Sequence, residues 1–187
     1  MNDAHKDTIA VLGTGIMGAP MARNVLRAGF TVRVCNRSPE KAQALQGDGA
    51  VVADSPAEAV RGADVMLTML ADADSVMAVT GEEVLCAQPQ VWVQMSTVGM
   101  QGAQRLGERA RTHAIAYVDA PVLGTREPAE QGQLRVLASG PDEALVRCEP
   151  IFDALASRTL RLGAAGAGSA MKLVTKRLGA HAGRGPS

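Results

Sequence analysis

Thr8-Ile9-Ala10-Val11-Leu12 runs directly into Gly13-Thr14-Gly15-Ile16-Met17-Gly18, and Ala19-Pro20-Met21-Ala22-Arg23-Asn24-Val25 follows without a break. The first five residues are a short β-prone run, and the last seven suit a helix. Glycines at the first, third and sixth positions of the turn between them each have a task. Gly13 makes the tight turn, Gly15 lets a pyrophosphate approach the backbone, and Gly18 lets the helix pack closely on the strand. The helix N-terminus then offers unpaired N–H groups to phosphate oxygens. A strand, this turn and a helix in that order predict a dinucleotide site formed by Gly13, Thr14, Gly15, Ile16, Met17 and Gly18.

Working outward, the helix is expected to reach about Ala28 and to end at Gly29, a residue without the Cβ that a left-handed cap disfavours. Thr31 to Cys35 is the second strand, and the residues after it choose the dinucleotide. An aspartate or glutamate there would accept the hydroxyls of an NAD ribose and repel a 2′-phosphate. This chain has Asn36, Arg37 and Ser38 instead. A guanidinium can grip a phosphate through two hydrogen bonds, with the two neutral side chains adding donors. NADP(H) is therefore expected, and NAD less so; the competing view is that Arg37 is a solvated charge beside a helix start.

Beyond Cys35 the same alternation continues. Ser38-Pro39 and Ser55-Pro56 open helices by pairing a capping hydroxyl with proline in the first helical position, and Ser55 with Glu58 fits a capping box. Strands are predicted at 50–52, 64–70, 91–95 and 115–119, with helices between most of them. A further strand at 133–139, a helix from Pro141 to about Ala154 and a strand at 158–162 are expected to extend one edge of the sheet. The fold class is thus α/β: a Rossmann-type, doubly wound, mostly parallel sheet with a C-terminal helix stub and a disordered tail. One NADP-binding domain over 1–163 is predicted. Residues 164–187 then form a glycine-rich hinge, a helix starting near Ser169 and, from Lys176, a tail without apolar period.

Bulk properties narrow the function. With 187 residues and 47% apolar content the chain can close one full core, and only Phe30, Trp92, Tyr117 and Phe152 are aromatic. Nineteen basic residues balance nineteen acidic ones, which removes the positive field that nucleic acid or an anionic membrane requires. Cys35, Cys86 and Cys148 are odd in number and unpaired in spacing, so neither a disulfide framework nor a metal site is indicated. Met1 to Asp7 is polar, without the apolar run of an export signal, and the expectation is a cytoplasmic protein without a membrane span. His5, His113 and His181 have no partner spacing for metal or triad chemistry.

The stretch from Gly13 through Val25 resembles the cofactor signature GxGxMGxxMAxNL of the β-hydroxyacid dehydrogenases, which share their nucleotide domain with 6-phosphogluconate dehydrogenase. The likeness continues nearly to Val174. Asn36-Arg37-Ser38 is similar to the NADP-using members. Thr68-Met69-Leu70 and Ser96-Thr97-Val98 match the strand ends that flank the adenine ribose and the nicotinamide, which implies roles for Met69, Leu70 and Thr97. Asp119 to Thr125 resembles the family's substrate motif, implying contacts from Val122, Leu123 and Gly124; a loop there can also aim N–H groups at a carboxylate. Gly166-Ala-Gly168-Ser-Ala-Met-Lys172 echoes GxGxxxKxxxN, which makes Lys172 the expected proton donor and acceptor.

Two departures stand out. Leu123-Gly124-Thr125 occupies the place of Ser-Gly-Gly, so a serine hydroxyl contact is lost. Lys176 stands where the asparagine is expected, putting two ammonium groups four residues apart on one helix face. Asp119 reads as a strand-end structural acid. The resemblance implies hydride transfer between NADP(H) and a small hydroxy acid or semialdehyde, a small-molecule carboxylate or carbonyl partner, and a homo-oligomer built on a helical second domain. No sequence for that domain follows Val174, and a truncated or frameshifted reading frame is expected. The alternatives are a cofactor-binding module with little catalysis and, third, an imine reductase, against which Lys172 counts.

Overall fold

The computed structural model describes residues 7–182, and for 177–182 the backbone alone. Six strands form a parallel sheet: β1 (Thr8–Leu12), β2 (Thr31–Cys35), β3 (Val51–Val52), β4 (Val65–Thr68), β5 (Val91–Gln94) and β6 (Ala116–Asp119). Their order is β3-β2-β1-β4-β5-β6. The chain starts in the middle, winds to one edge, returns, and winds to the other, so the order reverses beside β1. Parallel neighbours need crossovers, and these are α1 (Gly18–Arg27), α2 (Pro39–Gln43), α3 (Pro56–Val60), α4 (Ala73–Val79), α5 (Glu82–Leu85) and α6 (Gly99–Thr112).

The strands alternate apolar residues to both faces, and each face is covered. Ile9 and Val11 of β1 join Val32, Val34, Leu67, Val93 and Val118 in one core layer with Met21 and Val25 of α1. Ala10 and Leu12 point the other way, into a layer with Met66, Trp92, Leu106 and Tyr117. Trp92 meets Tyr117 edge to face at 5.4 Å and donates its indole N–H to Thr68 Oγ1 at 3.0 Å. A buried indole needs that partner.

Of the two Ser-Pro helix starts, one caps as its sequence suggests and one does not. Ser55 Oγ accepts from Glu58 N at 3.1 Å, while the Glu58 carboxylate accepts from Asp54 N, one residue earlier than a strict capping box. Ser38 makes no such side-chain bond, and Pro39 alone marks the start of α2. Gly29 has φ +88 and closes α1 as expected.

The last third departs from the simple edge extension. β7 (Val122–Leu123), β8 (Leu134–Ala138) and β9 (Ala156–Arg161) form a separate three-stranded sheet, with α7 (Arg126–Glu130) and α8 (Asp142–Leu155) between them. β8 pairs antiparallel with β7 and parallel with β9, so both its edges are taken and none remains for β6. A single bridge, Asp119 to Ser139, joins this sheet to the large one. α8 packs Leu145, Cys148, Ile151 and Phe152 into the same core layer as β1 and β6. Gly163 and Gly166, both at positive φ, lead into α9 (Ala167–Ala182). The helix thus continues past Lys176, where the apolar period of the sequence stops. Residues 1–6 and 183–187, including His5 and the end of the expected tail, lie outside the described residues.

Candidate active site

The turn after β1 is as tight as its glycines require. Gly13 has φ +101, and a Cβ on it would lie 2.4 Å from Met69 O; a Cβ on Gly18 would lie 1.9 Å from Gly13 O. Neither position accepts any other residue without moving the backbone. Gly15 is different, since nothing lies within 4 Å of its would-be Cβ. Its pro-Cβ side faces open space. Among the described residues the N–H groups of Gly15, Ile16 and Met17 donate to nothing, and Ile16 is 75% exposed. Thr14 is buried, with Oγ1 among the few buried polar atoms lacking a partner. A loop of free N–H groups beside a helix start is a fit for an anionic pyrophosphate.

A cleft of about 440 Å³ continues from this turn along the ends of β1, β2 and β4. Arg37, Ser38 and Leu70 line it together with Lys41 and Pro56. Arg37 and Lys41 are exposed and bring two positive charges to the lining; Asp74, also on the lining, pairs with Arg105 at 3.5 Å. Asn36 lines the cleft too, but its amide is occupied: Oδ1 accepts from Thr14 N at 2.9 Å and Nδ2 donates to Ser38 O at 3.1 Å. It ties the glycine turn to the end of β2 and shapes the site from within. Met69 is half-buried, and its N–H closes on Leu12 O. Lys41, on α2, is not singled out by the sequence; it lines the same cleft as Arg37, which stands four residues before it.

The second half of the site lies where β5, β7 and α9 meet. Thr97, Leu123, Gly124, Lys172, Thr175 and Lys176 line one continuous cleft. Thr97 is exposed at its rim, and the N–H groups of Gly124 and Thr125 donate to nothing among the described residues. Val122 is buried and contributes its carbonyl, which accepts a hydrogen bond from Lys172 Nζ. Burial first, and the Lys176 ammonium second, hold Lys172 below the ordinary lysine pKa. Lys176 is exposed, and among the described residues it has no ion pair.

Asp119 explains how Lys172 is held in register. It is fully buried; Oδ2 accepts from Ser169 N at 2.8 Å and Oδ1 from Ser169 Oγ at 2.8 Å. Ser139 Oγ accepts from Gly168 N at 3.0 Å, and Ala167 N reaches Ala164 O. The first three N–H groups of α9 are therefore satisfied, two of them by side chains of the strand ends. Gly168 permits the approach, because a Cβ there would stand 2.2 Å from Leu137 O. Lys172 follows Ser169 by three residues, so it leaves the same face of α9 one turn later. Burial raises the Asp119 pKa, and the Ser169 and Ser139 bonds oppose that rise. The partners are separated by 50 residues, so no local pattern announces the pairing.

A glycine turn with free N–H groups and a cleft lined by Arg37 and Lys41 at the ends of the parallel strands define an NAD(P)-binding Rossmann domain, with the half-buried Lys172 of α9 in a second, polar cleft. Comparison with known proteins agrees. Residues 8–163 match the family model for the NAD binding domain of 6-phosphogluconate dehydrogenase, and the chain belongs to that family. It is 39% identical over 159 residues to an uncharacterized oxidoreductase of Bacillus subtilis (strain 168), covering 83% of this chain and 56% of the relative. Glyoxylate/succinic semialdehyde reductase 1 of Arabidopsis thaliana is 34% identical over 175 residues, covering 91% of this chain and 60% of the relative. Among solved structures, Mycobacterium tuberculosis 3-hydroxyisobutyrate dehydrogenase with L-serine superposes with a TM-score of 0.89 at 34% identity, covering 92% of this chain and 60% of that one. The chain spans 56–60% of the length of these relatives. Among the described residues no helix is long and apolar enough to cross a membrane.

Proposed function

We propose that the chain binds NADP(H) and carries the cofactor half of a dehydrogenase acting on a small hydroxy acid or semialdehyde. The observation that carries this reading is Lys172, half-buried with a lowered pKa, in one cleft with Gly124, whose N–H donates to nothing among the described residues, as does that of Thr125 next to it in the chain. The nicotinamide supplies or accepts the hydride when the cofactor is bound. Gly15, Ile16 and Met17 would hold the pyrophosphate, and Arg37, Ser38 and Lys41 the 2′-phosphate. Gly124 and Thr125 N–H groups suit a substrate carboxylate, and Thr97 adds a hydroxyl at the rim. In the reducing direction Lys172 gives a proton to the carbonyl oxygen as hydride reaches its carbon; in the oxidising direction it takes the hydroxyl proton.

A lowered lysine pKa suits this task, because a proton held less tightly is given up more readily near neutral pH. Selection of NADP(H) rests on the two positive charges and on Asn36, Arg37 and Ser38, none of them a carboxylate, directly after β2. Asp74 is on the same lining but is paired with Arg105. A second reading is favoured by the exposure of Thr97, Gly124 and Lys176, which leaves the catalytic corner open to water. In that reading the chain binds cofactor and turns over slowly or not at all. Paired titrations with NADPH and NADH, followed by a turnover screen over small hydroxy acids and semialdehydes, test both. Binding with turnover supports the dehydrogenase; NADPH binding alone supports the module; NADH binding as tightly as NADPH sinks the NADP assignment.

A further inference from the structure

Lys176 is the residue of the catalytic corner that the proposed reaction leaves without a task. It lines the same cleft as Lys172, Thr97, Leu123, Gly124 and Thr175, and also the narrower recess formed by Val98, Pro121 and Ser169. The two lysines are four residues apart on α9, which puts their Cβ atoms roughly 6 Å from each other on one helix face. Like charges at that spacing cost stability unless something of opposite sign lies between or beside them. Among the described residues no carboxylate lines either part of the cleft. Asp119 is the buried acid beneath it, but both its oxygens are engaged by Ser169. Lys172 is anchored to Val122 O, whereas Lys176 is exposed and has no partner among the described residues.

We infer that the cleft selects a small dicarboxylate, a hydroxy or oxo acid with an acidic group at each end, and that Lys176 holds the carboxylate not bound by the Gly124–Thr125 loop. This rests on the dehydrogenase reading for the placement of the first carboxylate. The chemistry is specific: Gly124 and Lys176 line one cleft with Lys172, and a loop N–H and an ammonium can each take one anionic end of a ligand whose reacting carbon is served by Lys172. A monocarboxylate with a methyl at the far end would leave Lys176 unpaired and set an apolar group against it. The Lys176 charge also depresses Lys172, and a second carboxylate would partly offset that effect.

The test compares two ligands that differ only in a methyl against a carboxylate, 3-hydroxybutyrate and malate, by calorimetric titration of the whole chain at saturating NADP+. Wild type, Lys176→Asn, Lys176→Met and, as a charge control on exposed β9, Arg158→Met are measured, with NADP+ affinity taken on each sample. The expected result is malate bound about tenfold more tightly by wild type and Arg158→Met, the size of one charge-assisted hydrogen bond, and within about threefold in both Lys176 variants. Equal binding of the two acids by wild type overturns the proposal, and so does a malate preference that survives both Lys176 substitutions. The same titrations are repeated without nucleotide: a chain that fails to bind NADP+ yet keeps the Lys176-dependent malate preference overturns the nucleotide reading and leaves the lysine assignment standing.

Discussion

In the proposed reading, single side chains set what the two halves of the site discriminate. Arg37 lines the nucleotide cleft and is exposed, and a guanidinium there can form two parallel bonds to a phosphate. Arg37→Ala should weaken NADPH binding roughly 10- to 100-fold, the equivalent of about 1.5–3 kcal/mol for a charge-assisted contact, and NADH binding by less than about threefold. Equal losses for both cofactors would show that the residue shapes the cleft and does not read the phosphate. Within the catalytic corner, the Lys176 charge is the second cause of the low Lys172 pKa, after burial. Lys176→Met should therefore raise the Lys172 pKa toward, but not to, the ordinary lysine value. An NMR titration of the Lys172 side chain follows this directly, and an unmoved or lowered value would refute the coupling.

At the scale of elements, the decisive joint is between the end of β6 and the start of α9. Asp119→Ala would strip Ser169 of acceptors for both its N–H and its hydroxyl in a buried place, and should cost about 2–4 kcal/mol by chemical denaturation. Asp119→Asn keeps the shape and one carbonyl acceptor, so its cost should be smaller. Its pH dependence has a definite sign. Burial raises the folded-state pKa of Asp119 above its unfolded value near ~3.9. Titration of this group therefore favours folding fully below the unfolded pKa, and that contribution is lost as pH rises through the folded value. The amide introduced by Asp119→Asn does not titrate, so the melting temperature of the variant minus that of wild type should climb as pH goes from about 4 to 7. A flat difference would mean that Asp119 enters the folded state without any shift. If the joint also sets the register of Lys172, Asp119→Asn should change the Lys172 titration, a readout that a merely structural role would not move.

For the whole molecule, the question is whether two sheets make two folding units. They share one core layer: Val122, Val136 and Ala138 of the small sheet and Phe152 of α8 belong to the same cluster as Ile9, Val11 and Val118. Arg147 of α8 also reaches Asp7 at 3.0 Å and Asp64 at 3.4 Å, beside the starts of β1 and β4. One cooperative transition is therefore expected. Trp92 fluorescence, which reports the large sheet, should coincide with far-UV circular dichroism during urea unfolding. Two separated transitions would show that the β7-β8-β9 unit unfolds independently. Met171, Leu173 and Val174 remain exposed on α9. Leu173→Glu should lower any self-association seen by light scattering, with little effect on stability.

The amino-acid sequence by itself determined the nucleotide half. Gly13, Gly15 and Gly18 act within one turn, Arg37 follows its strand directly, and alternation along β1, β2, β4 and β5 is a local pattern of period two. Even Lys172 and Lys176 were legible as a pair, because helical spacing alone puts them on one face. Tertiary structure decided what depends on meetings far along the chain. The lock of Asp119 on Ser169, the use of the Asn36 amide inside the turn and the closing of β7, β8 and β9 into their own sheet leave no local trace. Hydrogen bonds and strand pairings form between whatever groups packing brings together, and β8 joined β7 and β9 because a strand has only two edges to give.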